Sequence, residues 1–244
     1  MPSAHTSTAV VMSGRMTEVS PIHHLDGGIP AGMLAAVREE RPLIHHITNS
    51  VTINDCANIT ICVGAAPVMA SAPEEVADMV EAAGALVLNI GTLSAAQVEA
   101  MLIAGRHAND LGIPVVLDPV GAGATEFRTA STRRLLEALD IAVLKGNAGE
   151  IGVLAGTGGS VRGVDSAGIT ADLVATVREC ASSTGTVVAM TGETDLVTDG
   201  RRVYAVRNGS PLMERLSGTG CMAASVTAAF AAVAGDLPVS SAAA

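Results

Sequence analysis

A cysteine set directly behind two glycines is the most chemically informative feature of this chain. Leu216-Ser217-Gly218-Thr219-Gly220-Cys221 runs straight into an apolar helical stretch, Met222 to Ala234. Glycines let backbone N–H groups approach a ligand closely. A helix N-terminus adds unpaired donors and a partial positive charge. Gly218, Thr219 and Gly220 are therefore expected to form an anion hole whose natural occupant is phosphate. Cys221 stands where a catalytic side chain would face that phosphate. The plain alternative is a Gly-rich turn entering a buried helix, with Cys221 as a small buried hydrophobe.

Other polar groups fit the same chemistry. Asp118-Pro119-Val120-Gly121-Ala122-Gly123 places a carboxylate at a strand end, ahead of a flexible turn. Such a carboxylate can hold Mg2+ through water, or simply cap the turn. In Asn147-Ala148-Gly149-Glu150, Glu150 falls on the same side of a first helical turn as Asn147. It could share the ion or its waters, or the pair could be an N-cap with its first-turn glutamate. Lys145 could meet a phosphate as a point charge, or be a solvated lysine. Thr191-Gly192-Glu193 makes a third loop on the phosphate side.

These groups need a frame. Short Val/Ile/Leu-rich runs predict strands over Leu43–Ile47, Leu86–Ile90, Val115–Leu117, Ile141–Lys145 and Thr186–Met190. Leu196–Thr198 and Arg202–Val206 read as a hairpin around Asp199-Gly200. Helical patterns separate the strands: Ala31–Glu40, Pro73–Ala83, Ser94–Leu111 with Ser94 as N-cap, Thr129–Ala138, Ala148–Ala155 and Ala171–Ser182. Non-alternating strands between helices mark an α/β fold with a mainly parallel sheet covered on both faces. Ligands of such sheets bind beyond the carboxyl ends of the strands. The polar residues there are Asn49, Met69 with Ser71, Asn89, Asp118, Asn147 with Glu150, and Thr191 with Glu193. Residues 1–28 read as a loose extension, and 29–244 as one domain. Gly156–Gly163 reads as a mobile surface loop.

Composition narrows the function classes. The chain has 244 residues, 49% of them hydrophobic, which is enough for a sizeable core. Its aromatic residues are Phe127, Tyr204 and Phe230, with no Trp, and its net charge is −10. That balance argues against nucleic acid and anionic membrane surfaces as partners. Cys56, Cys62, Cys180 and Cys221 form no CxxC pair, so free thiols in a reducing cytoplasm are expected. No signal peptide and no membrane span are legible.

Asn-x-x-Glu, Thr-Gly-Glu and Gly-Thr-Gly-Cys, in this order, resemble the ribokinase-like small-molecule kinases. More closely, the chain is similar to the hydroxyethylthiazole kinase family. The supporting segments are His46-Ile47-Thr48-Asn49, Ala66-Pro67-Val68-Met69-Ala70, Leu88-Asn89-Ile90-Gly91-Thr92-Leu93, Leu117 to Ala124, Lys145-Gly146-Asn147 and Asn208 to Met213. They span about residue 31 to Ala234. The resemblance implies a ribokinase-like three-layer αβα sandwich. It also implies ATP as co-substrate, Mg2+ as cofactor and the primary hydroxyl of hydroxyethylthiazole as acceptor, within thiamine biosynthesis or salvage.

Carried over residue by residue, it has Met69 and Gly218 contact the thiazole alcohol through backbone amides. Asn49 lies near the same pocket, contributed by a neighbouring subunit. Lys145 and Thr191, with Asn147, serve ATP. Asp118 and Glu150 organise Mg2+, and Gly218 to Cys221 form the anion hole beside the substrate hydroxyl. A homotrimer with active sites between subunits is implied. The wider superfamily has Asp where this chain has Cys221, and the family usually continues with further helices where this sequence reads as an Ala/Ser tail. Competing readings are a related kinase acting on pyridoxal or hydroxymethylpyrimidine, and a non-catalytic nucleotide sensor. The set Asp118, Glu150 and Cys221 speaks against the sensor.

Overall fold

Strands buried on both faces need no polar alternation, and the molecule is built that way. The computed structural model describes residues 21–157 and 171–244. The first 20 residues of the expected extension, and 158–163 of the expected Gly-rich loop, lie outside the described residues. In chain order the first elements are β1 (Ile22–His23), α1 (Gly28–Glu40), β2 (Leu43–Ile47), α2 (Ile53–Val63), β3 (Ala66–Val68) and α3 (Val76–Glu81). Next come β4 (Ala85–Asn89), α4 (Ala95–Leu111), β5 (Val115–Asp118), α5 (Glu126–Ala138), β6 (Val143–Asn147) and α6 (Ala148–Leu154). Then follow α7 (Ala171–Thr184), β7 (Val187–Thr191), β8 (Asp195–Thr198) and β9 (Val203–Val206). A 3-10 turn over Pro211–Arg215 leads to α8 (Thr219–Ala232) and α9 (Leu237–Ala243).

The strands form one sheet in the order β1-β9-β8-β7-β6-β5-β4-β2-β3. Only β8 runs antiparallel to its neighbours among the described strands. One face packs Leu86, Leu88, Leu117, Leu144 and Val188 against Met101, Leu135, Ile151 and Val177 of α4 to α7. The other packs Val87, Val116 and Val143 against Val37 of α1, Ala224, Ala228 and Phe230 of α8, and Ala242 of α9. This is the expected three-layer αβα sandwich. All five residues of β4 are buried, as a strand covered on both sides requires. Pro67 is tolerated because β3 is the edge strand and needs no outward donor.

Local signals place the helices that carry the site. Ser94 caps α4, its Oγ accepting from Gln97 N at 3.2 Å. Thr125 caps α5 in the same way, accepting from Arg128 N at 3.3 Å. α8 starts at Thr219, three residues before the apolar run predicted, because Gly218 supplies the left-handed turn that opens it (φ 86°). The segment read as an Ala/Ser tail is a helix instead. Asp236 caps α9 by accepting from Val239 N at 3.2 Å. Arg202 ties that carboxylate to β9, with Nη1 2.8 Å from Asp236 Oδ2. These contacts are long-range, so composition alone does not carry them. β1 likewise adds two residues to β9, at Val203 and Tyr204.

Candidate functional site

Four parallel strands end side by side and bring their polar termini into one row. Asn89 and Asp118 are register partners on β4 and β5, and Asn147 and Thr191 on β6 and β7. Asn49 follows β2, next to β4. A buried chain of polar contacts links these ends. Asn49 Nδ2 donates to Asn89 Oδ1 at 3.0 Å, and Asn89 Nδ2 donates to Asp118 Oδ2 at 2.6 Å. Asp118 Oδ1 lies 3.7 Å from Lys145 Nζ. Asn49 Nδ2 also reaches Cys221 Sγ at 3.3 Å.

Asn49 was expected to enter from a neighbouring subunit. The structure corrects this: the turn after β2 lies against the start of α8 in the same chain, so Asn49 meets its own Cys221. Its Oδ1 is equally occupied, accepting from Val51 N, Thr52 N and Thr52 Oγ1 at 3.0–3.1 Å. Asn49 therefore clamps the turn that faces Gly218.

Burial decides the electrostatics. Asp118 is 1% exposed and Lys145 is 4% exposed. Burial raises the Asp118 carboxyl above the ordinary range. Lys145 opposes this, Glu150 adds to it, and hydrogen bonds from Asn89 and the Cys221 thiol oppose it again. Lys145, a candidate for a solvated strand end, is instead an interior cation. Its ammonium lies against the start of α8, where a Cβ added to Gly220 would sit 2.9 Å from Nζ.

The α8 terminus itself is open to an anion. Its first i→i−4 bond runs from Met222 N to Gly218 O, 2.9 Å, which leaves the amides of Thr219, Gly220 and Cys221 ahead of the ladder. Behind Cys221, the Ser225 hydroxyl sits 3.3 Å from Cys221 O and 3.1 Å from His46 Nε2. His46 Nδ1 faces Ile44 O at 3.0 Å, which places the proton of the neutral imidazole on Nδ1. Burial pushes His46 down to about 4.

Glu150 realises its reading as an N-cap partner. It forms a capping box with Asn147: Glu150 N donates to Asn147 Oδ1 at 3.0 Å, and Asn147 N donates to Glu150 Oε2 at 2.9 Å. Its other oxygen accepts from Gly121 N at 2.8 Å, which turns the carboxylate toward the Asp118 loop. Thr191 Oγ1 donates to Gly146 O at 3.4 Å, keeping it beside Lys145 and Asn147.

Met69 is not part of this cluster. It follows edge strand β3, whose Val68 pairs with His45, so it lies toward the sheet's open edge. A separate cavity of about 500 Å3, lined by Arg38, Arg41 and Ile61, lies at the opposite, N-terminal end of the strands. No group of three or more His, Cys, Asp or Glu side chains among the described residues could form a metal cage. No helix among them is long and apolar enough to cross a membrane. Two contributors were missed by sequence reasoning. Thr52, packed on Gly218, gives no signal in the sequence. Arg128 does, since a cation in the first turn of a helix runs against the macrodipole.

Comparison with known proteins identifies the family and the fold. The model of the hydroxyethylthiazole kinase family matches residues 34–244. Hydroxyethylthiazole kinase of Methanoculleus marisnigri is 77% identical over 233 residues, covering 96% of this chain and 84% of that protein. The solved structure of hydroxyethylthiazole kinase from Pyrococcus horikoshii OT3 superposes with a TM-score of 0.80 at 44% identity, covering 88% of this chain and 81% of that one. A ribokinase-like superfamily protein from Enterococcus faecalis shares the fold, with a TM-score of 0.64 at 12% identity and coverage of 95% and 87%.

Proposed function

The chain belongs to the hydroxyethylthiazole kinase family, and from that premise we propose that it phosphorylates the primary hydroxyl of hydroxyethylthiazole with ATP, in thiamine biosynthesis or salvage. The observation that carries this reading is the buried chain Asn49–Asn89–Asp118–Lys145, which closes on the Cys221 thiol at the mouth of an amide-lined helix terminus. Phosphoryl transfer asks the protein mainly for positioning and charge stabilisation. The Thr219, Gly220 and Cys221 amides hold the moving phosphoryl group. Lys145 faces it from across Gly220, while Thr191 and Asn147 line the nucleotide side. Cys221, aimed by Asn49, takes the alcohol proton late in the transfer as its own thiol proton passes to the Asp118 carboxylate it faces.

The donor set suits Mg2+. Two buried carboxylates converge, and Glu150 already receives an amide on each oxygen. That favours contact through the ion's own waters, with phosphate oxygens completing the shell. Bound Mg2+ would neutralise charge on those oxygens, with Asp118 and Glu150 orienting its waters.

Residues 29–244 act in this reading as one cytoplasmic catalytic domain: the proposed site residues sit at the strand ends of one sheet, in the turns that follow them and at the starts of α6 and α8. The site is completed in a homotrimer, where Met69 and Gly218 present amides to the thiazole alcohol. In support, Val51, Ile53 and Ile61 are exposed apolar residues on and beside α2, which packs on the open edge strand β3. Sedimentation giving a fully active monomer would contradict this. The activity itself is tested by ATP consumption with thiazole, pyrimidine and pyridoxal alcohols. Mg2+-dependent turnover with the thiazole alcohol is expected. Preference for either other alcohol would move the chain to the related kinases, and no turnover with any would favour a sensor.

A further inference from the structure

Arg128 is the third residue of α5, a position where a cation opposes the helix macrodipole. Among the described residues no carboxylate pairs with it. Its guanidinium instead commits three of its five N–H donors to main-chain carbonyls. Nη1 donates to Ile90 O at 2.8 Å and to Val120 O at 2.7 Å, and Nη2 donates to Gly91 O at 2.8 Å. Gly121 lies directly on this group: a Cβ there would sit 3.1 Å from Arg128 Cδ.

The two carbonyls on Nη1 belong to peptide planes whose opposite sides serve the carboxylates. The Ile90–Gly91 plane gives its oxygen to Arg128 and its N–H to Asn89 Oδ1, at 2.9 Å. Asn89 then holds Asp118 at 2.6 Å. The Val120–Gly121 plane gives its oxygen to Arg128 and its N–H to Glu150 Oε1, at 2.8 Å. A trans peptide is planar, with C=O and N–H pointing in opposite directions. Fixing the oxygen therefore aims the hydrogen. A cation on the carbonyl also polarises the peptide, which strengthens the N–H as a donor.

We propose that Arg128 is a positioning residue that, through these two peptide planes, sets the directions of Asp118 and Glu150 toward the Mg2+-nucleotide. This rests on the reading of Asp118 and Glu150 as the Mg2+-orienting pair. One side chain thereby keeps two carboxylates, one at the end of β5 and one in the first turn of α6, in a fixed mutual orientation.

The test uses the full chain with Arg128→Met, which keeps length without donors, and Arg128→Lys, which keeps charge without the fork. Asp118→Asn and Glu150→Gln are measured beside them. The readout is Mn2+ binding to the protein–ADP complex by electron paramagnetic resonance, with Mn2+ standing in for Mg2+. Removing a partner that orients metal ligands weakens metal affinity by about 10–100-fold. Both Arg128 variants should weaken Mn2+ by about tenfold, with KM for the alcohol within about twofold of the parent. Unchanged Mn2+ affinity in both, with weakened affinity in Asp118→Asn, overturns the role of Arg128 and leaves the metal site standing. Unchanged affinity in Asp118→Asn and Glu150→Gln overturns the metal site, and this inference with it. Parallel losses of metal affinity, alcohol KM and thermal midpoint would assign Arg128 to general stability and also overturn the proposal.

Discussion

Replacing Gly218 with alanine strains the turn that opens the anion hole in two ways. Gly218 has φ 86°, and left-handed backbone costs an L-residue about 1–2 kcal/mol. The new Cβ would also lie 2.8 Å from Thr52 Cβ and closer still to Thr52 Cγ2. Thr52 cannot swing aside, because it is buried and its N and Oγ1 are both bonded to Asn49 Oδ1. Forced contacts of this kind cost about 1–3 kcal/mol. The sum is about 2–5 kcal/mol, against a usual domain stability of about 5–15 kcal/mol. Gly218 ends the segment that leads into α8, so the strain is relieved most cheaply by shifting that segment and opening the hole. Turnover should therefore fall along with stability. Denaturant unfolding and steady-state kinetics on Gly218→Ala read both. Adding Thr52→Ser, which keeps Oγ1 and removes Cγ2, should return part of the steric share and leave the backbone share. A wild-type unfolding midpoint with full turnover in Gly218→Ala would refute the reasoning, as would an absence of any recovery in the double variant.

Cys221→Ala should lower the catalytic rate with little change in ATP or alcohol affinity, because the amides survive and only the proton acceptor is lost. General-base contributions reach about 10²–10⁴-fold when fully used, and the loss here should lie toward the low end. Cys221→Asp should stay active, since Asn49 Nδ2 can donate to a carboxylate as it does to the thiol. Single-turnover rates decide this, and an unimpaired alanine variant would reduce the thiol to packing. Stability should also fall with acid. His46 is neutral in the fold down to about 4, whereas its unfolded value is 6.5. Its contribution is therefore fully present above pH 6.5 and is lost as pH falls toward 4, by up to about 3 kcal/mol. Burial lowers His45 in the same direction. Unfolding midpoints between pH 7 and 4 should fall in the parent and fall less in His46→Gln, and coincident profiles would exclude His46 as the cause.

The sheet and its ligand edge were legible in the sequence because strand burial writes itself into apolar runs. β2 occupies the predicted Leu43–Ile47, and Asn89, Asp118 and Asn147 fall at strand ends as read. What the sequence hides are relations between distant residues. Nothing local shows that Asn49 meets Asn89 and Cys221, 40 and 172 residues away. α9 looks like a tail until Arg202 reaches Asp236 across 34 residues. Lys145 offered two readings, a solvated end and a phosphate partner, and only burial beside Asp118 removes the first. The role of Arg128 is hidden because its partners are carbonyls, which every residue has.

α8 meets the sheet through Ala224, Ala228 and Ala229, none of them exposed. Alanine has no side-chain rotamers, so this seam has no slack with which to absorb a change. The height of the helix above β4 and β5, and with it the depth of the phosphate hole, is gauged by the thickness of a methyl group. Displacements of about 1 Å in such positioning can cost about a hundredfold in rate. Leu212 and Leu216, ahead of α8, are exposed by contrast, and side chains there can change without touching this seam. The packing that sets the height of α8 and the surface that leads into it are separately mutable parts of the same fold.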